Sequence, residues 1–328
     1  MKFLIIQTAF IGDAILATAV AEKLHAFYPD AQIDLLVRKG NEPLFTEHPY
    51  IRNTIVWDKK NGKMKNLFSI TGKVRSEKYD HVINLHRFAS SGFITAFSGA
   101  KDKRGFDKNP LSFLFTKKFP HEIGKDKHET ERNQELIADL TDGDAAKPKL
   151  YPTSLALKRT EDYVKQKPYI CIAPTSVWFT KQFPKEKWLE LCKAVPAGLT
   201  IYLLGAPGDH TICEWIRTNS GNDKAENLCG KLSFLESAAL MSHAVMNYVN
   251  DSAPLHIASA MNAPVTAVYC STVPAFGFGP LSGNSSVIET KLPLECRPCG
   301  LHGHAACPLG HFECAHSIEI SELLKRLP

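Results

Sequence analysis

The feature that most constrains this chain is an alternation, run through twice, of short apolar runs with stretches whose apolar residues recur at helical spacing. Such runs suit strands buried on both faces of a parallel sheet, and the amphipathic stretches suit helices packed over it. In the first half, strands are expected at Phe3–Gln7, Gln32–Val37, Ile55–Trp57 and His81–Leu85, with helices over Asp13–Tyr28, Leu67–Ser76, Ser90–Phe97 and Glu129–Leu140. In the second half, strands are expected at Tyr169–Ala173, Thr200–Leu204, Tyr248–Val249 and Val265–Tyr269. The helices there are Lys185–Lys193, Asp209–Thr218, Phe234–Ser242 and Ala253–Met261. A polar, proline-containing stretch, Thr141–Pro152, reads as a linker. The expectation is an α/β protein of two Rossmann-like, doubly wound domains, residues 1–150 and 151–328, facing across a cleft. In such sheets ligands sit beyond the carboxyl ends of the strands, which singles out the loops Thr8–Asp13, Leu85–Ser91, Pro174–Pro184, Gly205–Asp209, Asn250–His256 and Cys270–Pro280.

Composition narrows the class further. With 44% hydrophobic and 22% charged residues and a net charge of +5, the chain is neither disordered nor fibrous. The charge is uneven: residues 58–118 hold 14 basic side chains, among them Lys101, Lys103 and Arg104, against five acids. That local +9 suits an anionic partner or surface, and a solvated face explains it equally well. The apolar opening, Met1 to Val20, is interrupted by Gly12-Asp13, which is costly in a signal core or a spanning helix, so a cytoplasmic location is expected. All nine cysteines lie beyond residue 170, five of them singly in apolar patterns, as buried thiols do. Cys296, Cys299, Cys307 and Cys314 cluster among histidines. They have zinc-type ligand chemistry without the usual knuckle spacing, so a structural metal and a loop ordered by reduced thiols both stand.

Neither half carries a G-x-G-x-x-G after its first strand, and no G-x-x-x-x-G-K-[ST] occurs, which disfavours nicotinamide and flavin chemistry. Phosphate would instead be held by helix termini, hydroxyls and single cations. Asp13, at a strand-to-helix junction, either caps the helix or acts as a base in the cleft, and Gly12 before it allows close approach. Lys181 is a solvated surface lysine or a neutraliser of a leaving phosphate. Thr175 and Ser176 are turn residues or hydroxyl donors to phosphate. Asp251 and Ser252 are an N-cap pair or ligands, His256 is a core histidine or a nucleotide contact, and Asp209 is a turn residue or a ribose ligand.

Taken together, five segments resemble the glycosyltransferase family 9 heptosyltransferases: Phe3 to Ala19 around Gly12-Asp13, Tyr28 to Val37, Pro174-Thr175-Ser176 with Lys181 to Pro184, Leu204 to Asp209, and Val249 to Ala260. The resemblance covers nearly the whole chain in order. It implies a GT-B fold, an amino-terminal acceptor domain, a carboxyl-terminal nucleotide-sugar domain, and a last helix, around Ser321–Leu327, that crosses back to the first domain. It also implies inverting transfer of heptose from ADP-heptose to the lipopolysaccharide inner core. Asp13 would be the general base and Lys181 the partner of the leaving diphosphate. Gly12, Thr175, Ser176, Asp209, Asp251, Ser252 and His256 would bind substrate. No cofactor or catalytic metal is implied, and the acceptor is an anionic lipopolysaccharide precursor at the inner membrane surface rather than a nucleic acid. The sequence departs from the family pattern at Ala253, where glycine is usual, and at Cys270-Ser271-Thr272, which replaces Gly-Pro-Ser/Thr. A related transferase using another nucleotide sugar, a non-catalytic sugar- or nucleotide-binding protein, and an epimerase of similar fold are the alternatives.

Overall fold

The apolar runs that open each half become the central strands of two separate parallel sheets. In the computed structural model, which describes residues 1–125 and 127–327, the chain forms two units, Met1–Tyr151 and Pro152–Pro328. In the first, β1 (Lys2–Gln7), β2 (Gln32–Arg38), β3 (Ile51–Trp57), β4 (His81–Asn84), β5 (Asp102–Phe106) and β6 (Lys117–Phe119) pair in the order β3-β2-β1-β4-β5-β6, all parallel. The helices between them are α1 (Ile11–Leu16), α2 (Thr18–Phe27), α3 (Lys63–Ser76), α4 (Ala89–Phe97) and α5 (Glu129–Glu135). Leu4, Ile6, Leu36, Ile55, Trp57 and Val82 from the sheet meet Leu67, Ile70 and Val74 of α3 and Ile94 of α4 in one core. These helix positions recur at three and four residues, so one stripe of each helix faces the sheet.

Three expectations need correction in this unit. The helix foreseen over Asp13–Tyr28 is two helices, and the Thr18 hydroxyl donates to the Ile15 carbonyl at 2.7 Å where they meet. β5 and β6 lie inside the basic segment, where charged residues conceal the strand pattern. Arg104 accordingly does not belong to the basic surface. It is 1% exposed, pairs with Asp102 at 2.6 Å and with Asp139, and donates to the Leu136 carbonyl at 3.0 Å. The stretch read as a linker is largely tied to the first unit: Lys23 pairs with Asp142 at 2.7 Å, the Lys149 N–H donates to Thr18 at 2.9 Å, and the Tyr151 hydroxyl donates to Glu22 at 3.0 Å.

The second unit comprises α6 (Ser154–Lys165), β7 (Tyr169–Ala173), α7 (Lys185–Ala194), β8 (Thr200–Leu203), α8 (His210–Asn219), β9 (Ala225–Asn227), α9 (Phe234–Ser242), β10 (Met246–Asn250), α10 (Ala253–Ala260), β11 (Val265–Tyr269) and β12 (Ser285–Glu289). Two short helices, α11 (Glu313–His316) and α12 (Ile320–Leu324), follow. The strands pair in parallel in the order β12-β11-β10-β7-β8-β9. Counted from its own first strand, this is the topology of the first unit. Where the resemblance implies a last helix crossing to the first domain, α12 packs in its own unit: Leu323 is buried in the second core, and its carbonyl accepts from the Tyr248 hydroxyl at 3.0 Å. Among the described residues no helix is long and apolar enough to cross a membrane.

In each sheet the order reverses once, between β1 and β4 and again between β7 and β10. Chain leaving these strand pairs turns to opposite faces and opens a crevice at their carboxyl ends, so the loops after β1, β4, β7 and β10 are where a ligand site forms.

Candidate active site

After β1 the chain turns directly into α1, which puts Gly12 and Asp13 in the first turn, both half-buried. The Asp13 carboxylate accepts the Phe10 N–H at 3.2 Å, so the capping role is real but uses little of its bonding capacity. Burial raises its pKa to about 6 and the Glu129 charge adds to this; backbone N–H groups and Arg87 pull the other way. Glu129, the first residue of α5, is buried. Although burial opposes its ionisation, His121 and Arg132 hold its carboxyl below the ordinary range, with Arg132 donating to Oε2 at 2.8 and 3.0 Å. An ionised Glu129 thus keeps Asp13 basic. Sequence reasoning did not single out Glu129, because Asp13 and Glu129 are remote in the chain.

Cations surround this loop. Lys59 donates to the Thr8 carbonyl at 2.7 Å, and burial, then Arg38 and Lys63, lower its pKa to about 8. The Arg38 guanidinium lies 4.9 Å from the Phe10 ring centre. The loop after β4 places His86 against Thr8 at 3.1 Å. Beside it Arg87, Phe88, Lys108, His121 and Ile123 line an open concavity of about 440 Å³. A carboxylate near neutrality beside a basic hollow can take a proton from a hydroxyl of an anionic substrate.

The second unit assembles most of its expected residues at the equivalent place. Lys181 ends a short 3₁₀ turn after β7, and its ammonium pairs with the buried Asp251 at 2.6 Å. Asp251 also accepts the Thr272 hydroxyl at 2.6 Å, so the end of the Cys270-Ser271-Thr272 segment contributes directly to the site. Ser252 begins α10 without a side-chain capping bond, and Asp251 is engaged with Lys181 and Thr272. The N-cap reading therefore fails, and the first turn of α10 is left without a side-chain cap. His256 is buried one turn into α10, 6.2 Å from the Phe278 ring centre.

Asn250, which the sequence did not single out, holds these loops together. Fully buried, it accepts the Phe183 N–H at 2.9 Å and donates to the Thr175 carbonyl at 3.3 Å. Gln182 donates to the Ser176 carbonyl at 2.7 Å, which leaves the Thr175 and Ser176 side chains half-buried. Asp209 stands apart after β8, where its carboxylate accepts the Ala206 N–H at 2.7 Å and serves its own turn.

The cysteine cluster is not assembled as a metal centre. Cys296, Cys299, Cys307 and Cys314 are free thiols that border a cavity of about 50 Å³ with Thr180, Arg297 and His311. Among the described residues no group of three or more His, Cys, Asp or Glu side chains is placed to hold a metal ion. Burial raises the Cys307 pKa, but the backbone N–H groups of Phe312, Leu309, Gly310 and His311 outweigh it and bring the thiol below its ordinary value. The loop instead braces the site. The His304 N–H donates to the Thr180 hydroxyl at 2.7 Å and the Thr180 N–H to the His304 carbonyl at 3.1 Å, the Cys299 N–H donates to the Ser271 carbonyl at 2.7 Å, and Arg297 donates to the Cys270 carbonyl at 2.7 Å.

Two doubly wound units of one topology, each with polar residues gathered at its switch point, have the architecture of the GT-B glycosyltransferases. Comparison with known proteins agrees. Glycosyltransferase family 9 (heptosyltransferase) matches residues 67–305, and the chain belongs to this family of transferases. Lipopolysaccharide heptosyltransferase 3 of Escherichia coli is 29% identical over 280 residues, covering 80% of this chain and 82% of the relative. The structure of the E. coli ADP-heptose lps heptosyltransferase II has a TM-score of 0.82 at 21% identity, covering 100% of this chain and 97% of that one. A glycosyl transferase family 9 structure from Veillonella parvula has a TM-score of 0.87 at 20% identity, covering 99% and 95%.

Proposed function

We propose that the chain transfers a heptose, with inversion, from ADP-heptose to a sugar of the lipopolysaccharide inner core. The observation that carries the chemistry is the half-buried Asp13 at the switch point of the first unit, beside a buried anion and a basic hollow. The Asp13 carboxylate takes the proton of an acceptor hydroxyl, whose oxygen bonds to the anomeric carbon as the bond to the diphosphate breaks and ADP leaves. Lys181 and the open first turn of α10 neutralise the charge that grows on the diphosphate, so the step needs no metal cofactor. Thr175, Ser176 and Ser252 donate hydroxyls to phosphate, Asp251 and Thr272 hold sugar hydroxyls, and His256 lies toward the nucleotide. The first unit binds the acceptor with Gly12 permitting close approach, and the second binds the donor. Relatives named lipopolysaccharide heptosyltransferase 3 and lipooligosaccharide heptosyltransferase 2 support the acceptor class, and the ADP-heptose enzyme of similar fold supports the donor. The enzyme works in the cytoplasm at the inner face of the membrane that carries its acceptor.

Ala253, Cys270 and Ser271 depart from the family pattern beside the donor site, which favours as second reading a related transferase with another nucleotide sugar. A thermal-shift panel of ADP, UDP, GDP and CMP separates the two, since a ligand that binds only the native state raises its melting temperature. The largest shift is expected with ADP. A larger shift with any other nucleotide replaces ADP-heptose as donor, and transfer of heptose to a defined inner-core acceptor tests the rest.

A further inference from the structure

An aromatic stripe on the first unit has no role in the chemistry above. On α3, Met64 is 59% and Phe68 58% exposed, and on α4 Phe97 is 44% exposed. Phe93 joins them: its ring centre is 5.5 Å from that of Phe68 and 4.6 Å from that of Phe97, and it packs on the core below. The stripe is therefore continuous, runs over two adjacent helices and is fixed from beneath. Its margins are cationic, with Lys60, Lys63 and Lys65 at the start of α3, and Lys73, Arg75 and Lys101 toward the other end, all exposed. The acids of this region are engaged elsewhere: Asp58 pairs with Lys39, Glu77 with Arg52 and Lys2, and Asp102 with Arg104. Among the described residues none of the six marginal cations is ion-paired.

A face that carries Met64 beside three aromatic rings in series, rimmed by unpaired cations, suits one environment better than water. Apolar side chains enter the boundary between headgroups and acyl chains, and lysines remain at the level of anionic phosphates. We propose that the α3–α4 face docks on an anionic lipid bilayer. Phe88, the residue that leads into α4, lines the basic hollow with Arg87 and Lys108, so the docked face borders the proposed acceptor site. This deepens the functional reading and rests on it only in taking the acceptor to be membrane-borne; the stripe and its charges stand without it.

The test is flotation of the whole protein, without substrates, with phosphatidylglycerol-rich vesicles and with vesicles of phosphatidylcholine alone. Wild type is expected to float with the anionic vesicles, less so as salt rises, and not with the zwitterionic ones. The Phe68→Ser/Phe97→Ser variant and, separately, Lys60→Gln/Lys65→Gln/Lys73→Gln should each lower partitioning at least about tenfold. Both sets are surface changes, and circular dichroism checks that they fold. Transfer to a delipidated, water-soluble acceptor should stay at the wild-type rate in both. Wild type that ignores anionic vesicles, or variants that float as wild type does, would overturn the proposal. Loss of flotation in variants of a protein that transfers no heptose would uphold the docking face and reject the functional reading instead.

Discussion

Asp13 caps α1 and, in the proposed reaction, also serves as the base. Its single bond to the Phe10 N–H shapes α1, while burial and Glu129 bring its pKa to about 6. A base must be unprotonated, so kcat/KM should rise with pH and level off above about 6. Asp13→Asn should lower kcat by about 10²–10⁴ with nucleotide affinity and melting temperature kept. A loss under tenfold would remove Asp13 from the mechanism. Glu129→Gln removes the anion that lifts Asp13, so the acidic limb of the profile should move to lower pH. Arg132, left without its carboxylate, should lower thermal stability in the same variant. A limb that stays in place would show that burial alone sets Asp13. Lys181 poses the complementary case: Lys181→Ala strands the buried Asp251 beside Thr272, so the variant should lose both ADP affinity and about 3 kcal/mol or more of stability. Titration calorimetry and denaturant melts measure the two, and unchanged ADP affinity would make Lys181 purely structural.

At the scale of elements, the central strands were legible because parallel strands buried on both faces read as apolar runs; Tyr169–Ala173 and Val265–Tyr269 form as the sequence indicates. Strands toward the margins of the sheets were not. β5 carries Asp102, Lys103 and Arg104, and only the tertiary partners Asp139 and Leu136 make a buried arginine tolerable there. α6 was missed for a different reason: it opens with Ser154 and carries Lys158, Arg159, Glu161 and Asp162, so its apolar stripe is thin. In the site, residues at strand ends could be placed from sequence, whereas the bonding roles of Glu129, Asn250 and Thr272 could not be read, since their partners are remote in the chain. The loop from Cys296 to Cys314 is the clearest such case, because its work lies in contacts with Thr180 and Ser271. Gly303 has a φ of +77°, and a Cβ there would lie 3.0 Å from the Thr180 hydroxyl oxygen and 3.1 Å from Lys181 Cγ. Gly303→Val should therefore push the Lys181 turn aside and raise the donor KM several-fold, leaving the acceptor KM unchanged. Equal effects on both substrates, or none, would show that the loop does not position Lys181.

For the whole molecule, titration couples to stability mainly in the first unit. Burial lowers His48 to about 4 and, with Lys59 and Arg87, lowers His86 to about 3. Both are neutral in the fold and bind protons first when unfolded, so they withdraw stability as pH falls below 6.5. Asp13 has the opposite sign: its raised pKa returns stability as pH falls through about 6. The net expected change between pH 6.5 and 5 is a loss of about 2–3 kcal/mol, visible by calorimetry as a melting temperature several degrees lower. An unchanged or higher melting temperature at pH 5 would mean that these histidines are solvated. The repeated strand order has a separate consequence. Each unit closes its own sheet, and the chain is divided at a single point, Tyr151 to Pro152. Heredity can therefore treat the halves as two separable modules within one gene. If, as proposed, the first unit binds the acceptor and the second the donor, recombination near codon 152 would exchange one recognition specificity and keep the other, so a lineage could try new sugars on an old acceptor, or the reverse, in one crossover.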